Sequence, residues 1–312
     1  MTVIEMTSQF VHHSLAFADV VGDSPSLKKL ADADAHEGPV YVARDHSLYF
    51  TTLPTRGAYV SIKRLELDTL HVSTVRLDAN AANGMAIDAD GRLIVCEQGS
   101  QSEHARISRL DPATRAIETV TDAWGNLPFN SPNDVVVKSD GTIWFTDPSY
   151  GWLQGFKPQP QAGDYVYRHD PRTGRTSVVA DSFDKPNVLA FSPDERVLYV
   201  GDSGANQEPD SFYPERPHHI RSFPVLGASL GCGRLFAVTN PGFPDGLKVD
   251  SAGRVYASSF NGVQVFAPNG DLLGEISLPG AVNFAFGGYD RSTLYITADT
   301  AIWAARLAAK GA

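Results

Sequence analysis

Residues 130–151, NSPNDVVVKSDGTIWFTDPSYG, decide how this chain is read. The polar pair Asn133-Asp134 is followed by Val135, Val136 and Val137, then by the turn Ser139-Asp140-Gly141. A second apolar run, Ile143, Trp144 and Phe145, ends on Thr146-Asp147-Pro148. Two β-rich runs around an Asp-Gly turn predict a hairpin. Its antiparallel return sets Asp147 beside Asn133 and Asp134 at one end of the sheet.

The pattern recurs along the chain. Polar residues Glu37, Asn83, Asn133, Asn187, Asp245 and Asn283 each lead an apolar run, a turn and a second apolar run. They are spaced by 46, 50, 54, 58 and 38 residues. A period near 50 built from hairpins indicates a β-propeller. Six copies predict an all-β, six-bladed propeller with room for about four strands per blade. Radial symmetry gathers the six leading residues around one axis. Their side chains offer carbonyl or carboxylate oxygens and none is basic, so the ring can hold a hard cation in the central channel.

The 312 residues exceed the size at which one compact core stops growing. A propeller avoids that limit by placing a core between each pair of blades, so residues 1–312 are expected to form one domain. Residues 1–34 are expected to close the last blade in part. Within them, 10–16 read as a strand and 24–30 as a short helix or turn. Either 11–17 or the C-terminal 302–307 is expected to complete the blade formed by the other end. Outer hairpins are predicted at 59–67 with 71–77, 105–110 with 116–120, 164–169 with 176–180, and 263–266 with 272–277, joined by turn formers such as Asp-Pro and Asn-Gly.

The net charge is −10 and the pI about 5.3. No run of Lys or Arg is present, which argues against nucleic acid or an anionic membrane as partner. No stretch approaches the length of a membrane span. Residues 1–10 lack a secretory pattern. The two cysteines, Cys96 and Cys232, have no zinc spacing and are expected as free thiols in a reducing cytoplasm. The composition gives no reading of oligomeric state.

The motifs Glu37-Gly38-Pro39, Ser131-Pro132-Asn133-Asp134, Gly141-Thr142-Ile143-Trp144-Phe145-Thr146-Asp147-Pro148, Pro186-Asn187 and Pro244-Asp245-Gly246 resemble the SMP-30/gluconolactonase family. The likeness runs from about residue 37 to the C-terminus, in order and at blade spacing. It implies a six-bladed propeller with one divalent metal in the channel, most often calcium, and hydrolysis of sugar lactones such as gluconolactone. By the resemblance, Glu37, Asn133, Asn187 and Asp245 are the metal ligands, with Asn133 either direct or acting through substrate or water. Two carboxylates and two amides are hard donors that suit Ca²⁺, with Mg²⁺, Mn²⁺ or Zn²⁺ as alternatives.

Lactone hydrolysis needs a polarised carbonyl and a carboxylate that activates water. Asp245 is the first candidate for that base and Asp134 the second. Asn133, Asp134, Asp147 and Asp202 are the expected substrate-binding residues, since Asp147, Asp202 and Glu97 return near the channel mouth. His36, beside Glu37, is a candidate supporting residue. The pairs His12-His13 and His218-His219 point to opposite faces and are not expected to ligate. No Gly-Xaa-Ser-Xaa-Gly elbow occurs, which argues against a serine hydrolase. Residues 151–163 and 203–217 are long, aromatic and Pro/Gly-rich, and are expected as a partial lid. Two alternatives stand beside the lactonase reading: a phosphotriesterase-like hydrolase of the same fold, and a non-enzymatic calcium-binding propeller.

Overall fold

The computed structural model describes residues 9–55 and 59–312. Residues 1–8, most of the stretch read for a secretory pattern, lie outside that description.

Six antiparallel blade sheets follow one another along the chain, each with its first strand innermost, and a two-stranded hairpin of Ala123–Trp124 and Leu127–Pro128 lies between the second and third. Ala35–Val42, Ser47–Thr52, Ile62–Glu66 and Val72–Arg76 make the first blade. Ala82–Ile87, Leu93–Glu97, Arg106–Leu110 and Ile117–Thr121 make the second. Val135–Val137, Ile143–Asp147, Tyr165–Asp170 and Arg175–Ala180 make the third. The fourth has Pro186–Phe191, Val197–Asp202, His219–Leu226 and Arg234–Val238. The fifth has Leu247–Val249, Val255–Ser259, Gly262–Phe266 and Leu272–Ser277. Asn283–Gly287, Thr293–Thr297 and Ala301–Arg306 belong to the sixth. The innermost strands neighbour one another in a closed ring, sixth against first. This is the six-bladed β-propeller that the repeat predicts.

The hairpin in residues 130–151 has Val135 opposite Phe145 and Val137 opposite Ile143. Its turn is closed by Asp140, whose Oδ1 accepts from Thr142 N at 3.0 Å and Thr142 Oγ1 at 2.6 Å. Gly141 there has φ of 83°, a conformation that glycine adopts without steric cost.

Strand alternation sends successive side chains to opposite blade interfaces. Ile143 and Phe145 therefore pack with Ile94, Cys96 and Ile107 of the second blade. Trp144, fully buried between them in sequence, packs with Leu189, Leu198 and Val200 of the fourth. The same division repeats around the ring, with an apolar cluster between each adjacent pair of blades.

The chain's start corrects two local readings. Residues 24–30 are not a helix or turn: Ser26–Asp32 is a strand, paired with Ala301–Arg306 as the outermost strand of the sixth blade. The expected strand at 10–16 is only Phe10–His12, and it joins the fifth blade as an extra outer strand, with Leu15–Phe17 a 3₁₀ turn. Lys28 and Lys29 on the exposed edge hid the alternation of Ser26–Asp32, as charged residues on edge strands do.

Both cysteines are free thiols, Cys96 buried and Cys232 exposed. Among the described residues no helix is long and apolar enough to cross a membrane.

A chain beginning at residue 34 loses the outer strand of the sixth blade and the buried Leu27. Its melting temperature is expected to fall by roughly 10 °C or more, since several kcal/mol of packing are lost. Calorimetric unfolding that matches the full chain would contradict the role of this strand.

Candidate active site

The six leading residues stand at the N-terminal ends of the innermost strands, on one face of the ring. Asn283 Nδ2 donates to Glu37 Oε2 at 2.7 Å, and Asn187 Nδ2 donates to Asp245 Oδ1 at 2.8 Å. Glu37 Oε2 also accepts from Gly38 N at 3.2 Å. Among the described residues Glu37 Oε1 and Asp245 Oδ2 accept no hydrogen bond, and Asn187 Oδ1 is buried with none. Three unengaged oxygens thus sit on the ring, one on each of its two carboxylates and one on a neutral amide. Asn83 Oδ1 is likewise buried without a donor.

Ser203 explains how Asn187 is oriented. Its hydroxyl donates to Pro244 O at 2.7 Å, so its oxygen can only accept from Asn187 Nδ2 at 3.3 Å. The amide nitrogen is fixed between Ser203 and Asp245, and the amide oxygen is turned away from both. Sequence reading missed Ser203, which directly follows Asp202 at the end of a repeat hairpin.

The carboxylates crowd one another. Burial pushes Glu37 up to about 8, and the Asp245 charge adds to that, against the pull of His36 and Asn283. Burial also raises Asp245, opposed by His36 and by the Asn187 hydrogen bond. For His36 burial disfavours the imidazolium, but the Asp299 hydrogen bond and the Glu37 and Asp245 charges outweigh it and lift the group to about 9. His36 Nδ1 lies 2.7 Å from Asp299 Oδ1. Asp299 has no sequence motif and was not anticipated.

Asn133 fixes its backbone, with N donating to Thr146 O at 2.9 Å and O accepting from Gly84 N at 2.7 Å. Its side-chain amide has no hydrogen-bond partner among the described residues. Asp134 is buried and tied across to the fourth blade, Oδ2 accepting from Leu189 N at 3.3 Å. A Cβ on Gly84 would come within 2.6 Å of Asp134 Oδ1, which is why that position has no side chain. Burial raises Asp134 above the usual carboxylate range, with Lys248 opposing.

Asp147 and Asp202, expected at the substrate, are buried and engaged by backbone amides. Asp147 accepts from Asn130 N at 2.9 Å and Ser131 N at 2.8 Å, one amide on each oxygen. Burial still pushes it up to about 8. Asp202 accepts from Asp184 N at 3.0 Å and Lys185 N at 2.9 Å. Glu97 is fully buried among Arg76, Arg106, Asn80 and Ser108. These acids hold the loops that lead into the ring.

Residues 151–163 and 203–217 rise on the same face, as their strands require. Tyr150 OH donates to Ser203 O at 3.2 Å, joining the base of one loop to the other.

Residues 35–300 match the family described as the SMP-30/gluconolactonase/LRE-like region. The chain belongs to this family. It is 31% identical to a gluconolactonase of Zymomonas mobilis over 86% of this chain and 77% of that one. It is 27% identical to the lactonohydrolase oryL of Aspergillus oryzae, over 88% and 69%. Among solved structures, a gluconolactonase from Xanthomonas campestris superposes with a TM-score of 0.83 at 31% identity, covering 97% and 96% of the two chains. A calcium-binding regucalcin from Agrobacterium tumefaciens, at 17% identity and a TM-score of 0.71, shares the fold.

The donors fit the divalent metal that the family implies. Buried, mutually repelling carboxylates on Glu37 and Asp245 call for a positive charge, and the Asn187 oxygen lacks a donor. Among the described residues no three His, Cys, Asp or Glu side chains form a ligating group. The ring carries two carboxylates and its other oxygens are amides, a set suited to hard cations.

The ring's backbone is pinned between blades. Thr146 Oγ1 donates to Asn187 O at 2.6 Å and accepts from Asp134 N at 3.0 Å. Thr146→Val leaves both groups buried without a partner and is expected to cost about 1–3 kcal/mol in denaturant unfolding. Thr146→Ser should retain most of the stability. Equal stability of the Val variant would show that the bond is dispensable.

Proposed function

We propose that this lactone hydrolase acts on sugar lactones such as gluconolactone, with one divalent cation, most suitably Ca²⁺, held by Glu37, Asn187 and Asp245. Asn133 is either a further ligand or one water away. When bound, the cation supplies Lewis-acid polarisation of the lactone carbonyl. The gluconolactonase relatives and the ring's donor set support this reading. Cys96 and Cys232 as free thiols fit a cytoplasmic setting.

The observation that carries the mechanism is the state of Asp245. Oδ1 is held by Asn187, while Oδ2 accepts nothing among the described residues. A carboxylate with one oxygen anchored and the other open at the reaction centre is suited to take a proton from water. In the proposed step, water adds to the lactone carbonyl carbon and gives its proton to Asp245 Oδ2. The ring C–O bond then breaks, and that proton passes to the leaving ring oxygen, giving the open hydroxy acid. The unpartnered Asn133 amide orients substrate hydroxyls. Asp134 is a weaker candidate for the base, because it is enclosed on both sides: Oδ2 accepts from Leu189 N and Oδ1 lies against the Gly84 backbone. Its role is to fix the ring between blades.

Gluconolactone hydrolysis, followed as acid release after cation removal and restoration, tests the reading. Asp245→Asn, saturated with cation, is expected to lose at least about a hundredfold in kcat. Asp134→Asn should lose less. The opposite ranking would transfer the base role to Asp134. Cation binding without turnover of any lactone would favour a non-enzymatic propeller.

Ser203 gives an independent test of the cation reading. Ser203→Ala frees the Asn187 amide to turn, and Ca²⁺ affinity by calorimetry is expected to weaken about tenfold, the size of one lost hydrogen bond. A purely structural Ser203 would lower the metal-free melting temperature and leave that affinity unchanged.

A further inference from the structure

Three phenylalanines on three different segments gather next to the stretches that carry Asp245, Ser258 and Ser203. Phe243 lies two residues before Asp245. Phe260 lies two residues after Ser258, whose hydroxyl accepts from Asp245 N and Gly246 N, each at 2.8 Å. Phe212 belongs to the loop that begins at Ser203, the residue that orients Asn187. The rings meet edge-on, Phe212 with Phe260 at 5.1 Å between centroids and Phe243 with Phe260 at 5.7 Å.

This wall is built into the fold. Gly242 has φ of 100°, and a Cβ there would come within 2.7 Å of Phe260 Cδ1, so backbone packs directly on the ring. His218 meets Phe212 edge-on at 6.1 Å and is itself fixed to Thr239 O at 2.8 Å. Yet Phe212 remains 36% exposed and Phe260 45% exposed. The first and sixth blades present a different surface, the His36–Asp299 pair beside Glu37. Partly exposed apolar rings held rigidly at the edge of a reaction site offer a surface that an apolar part of a ligand can cover. The polar ring below can take the lactone's carbonyl and hydroxyls, but it cannot cover the wall.

We propose that Phe212, Phe243 and Phe260 form a subsite for an apolar substituent on the lactone ring. Beside the sugar lactones proposed above, the site then takes lactones carrying an alkyl or aryl side chain. The inference rests on the lactonase reading and extends its substrate range.

A series of δ-lactones with growing 5-alkyl chains, assayed beside gluconolactone, tests it. kcat/KM is expected to rise roughly twofold to fourfold per added methylene over the first few carbons, mostly through KM. Phe212→Ala and Phe260→Ala should flatten that slope, and Phe260→Leu should restore part of it, with melting temperatures reported for each. A flat or falling series with gluconolactone still hydrolysed overturns the subsite and leaves the lactonase reading standing. A rising series whose slope the Ala variants leave unchanged overturns it as well. No hydrolysis of any lactone removes the lactonase reading and the subsite with it.

Discussion

A hydroxyl donated from one blade to the carbonyl that opens the next is the bond on which the site depends. Thr51 Oγ1 reaches Asn83 O at 3.2 Å, and Thr146 Oγ1 reaches Asn187 O at 2.6 Å. Ser203 Oγ reaches Pro244 O at 2.7 Å, and Thr297 Oγ1 reaches His36 O at 2.7 Å. Each donor is one of the last two residues of a blade's second strand or directly follows it. Each acceptor is a leading residue or the residue before one. The bonds therefore fix the backbone where the ring begins, and apolar packing between blades alone could not set a side chain to hydrogen-bond precision. The fifth blade uses the same position otherwise: Ser258 accepts from the amides of its own Asp245 and Gly246.

That rigidity has an electrostatic purpose. Burial and the Asp245 charge raise Glu37, burial and the Asp299 charge raise Asp245, and Asp134 adds to both. A flexible channel would relax by moving the carboxylates apart or admitting water. Here the latches and the amide contacts from Asn187 and Asn283 hold them together, so the strain falls on protonation or on a bound cation. A site that binds charge in this way is destabilising when empty and is retained for its chemistry.

Much of this was legible in the sequence, because a propeller repeats its chemistry at a fixed phase. The apolar runs, the Asp-Gly turns and the leading polar residues recur often enough that blade number and ring membership follow from alignment of the chain with itself. The misread elements lack that support. Ser26–Asp32 stands outside the repeat order and closes the sixth blade across the whole length of the chain. Asp147 and Asp202 were correctly placed at strand ends, but period alone does not tell whether a carboxylate faces the channel or the amides of the incoming loop. Asp299 and the Phe212, Phe243 and Phe260 wall lie on connections, where each blade differs from the others. Ser203 was hidden for a different reason: its role depends on which hydrogen-bond partner takes its single proton, and only the three-dimensional neighbours reveal that.

The central claim is that Glu37, Asn187 and Asp245 together hold one divalent cation. Anomalous diffraction from crystals soaked in Mn²⁺, a hard dication with a usable signal, tests it most directly. The account predicts one anomalous peak per chain, within ligand distance of oxygens from all three residues. Strong peaks elsewhere with none at the ring, or none at any Mn²⁺ concentration, would contradict it.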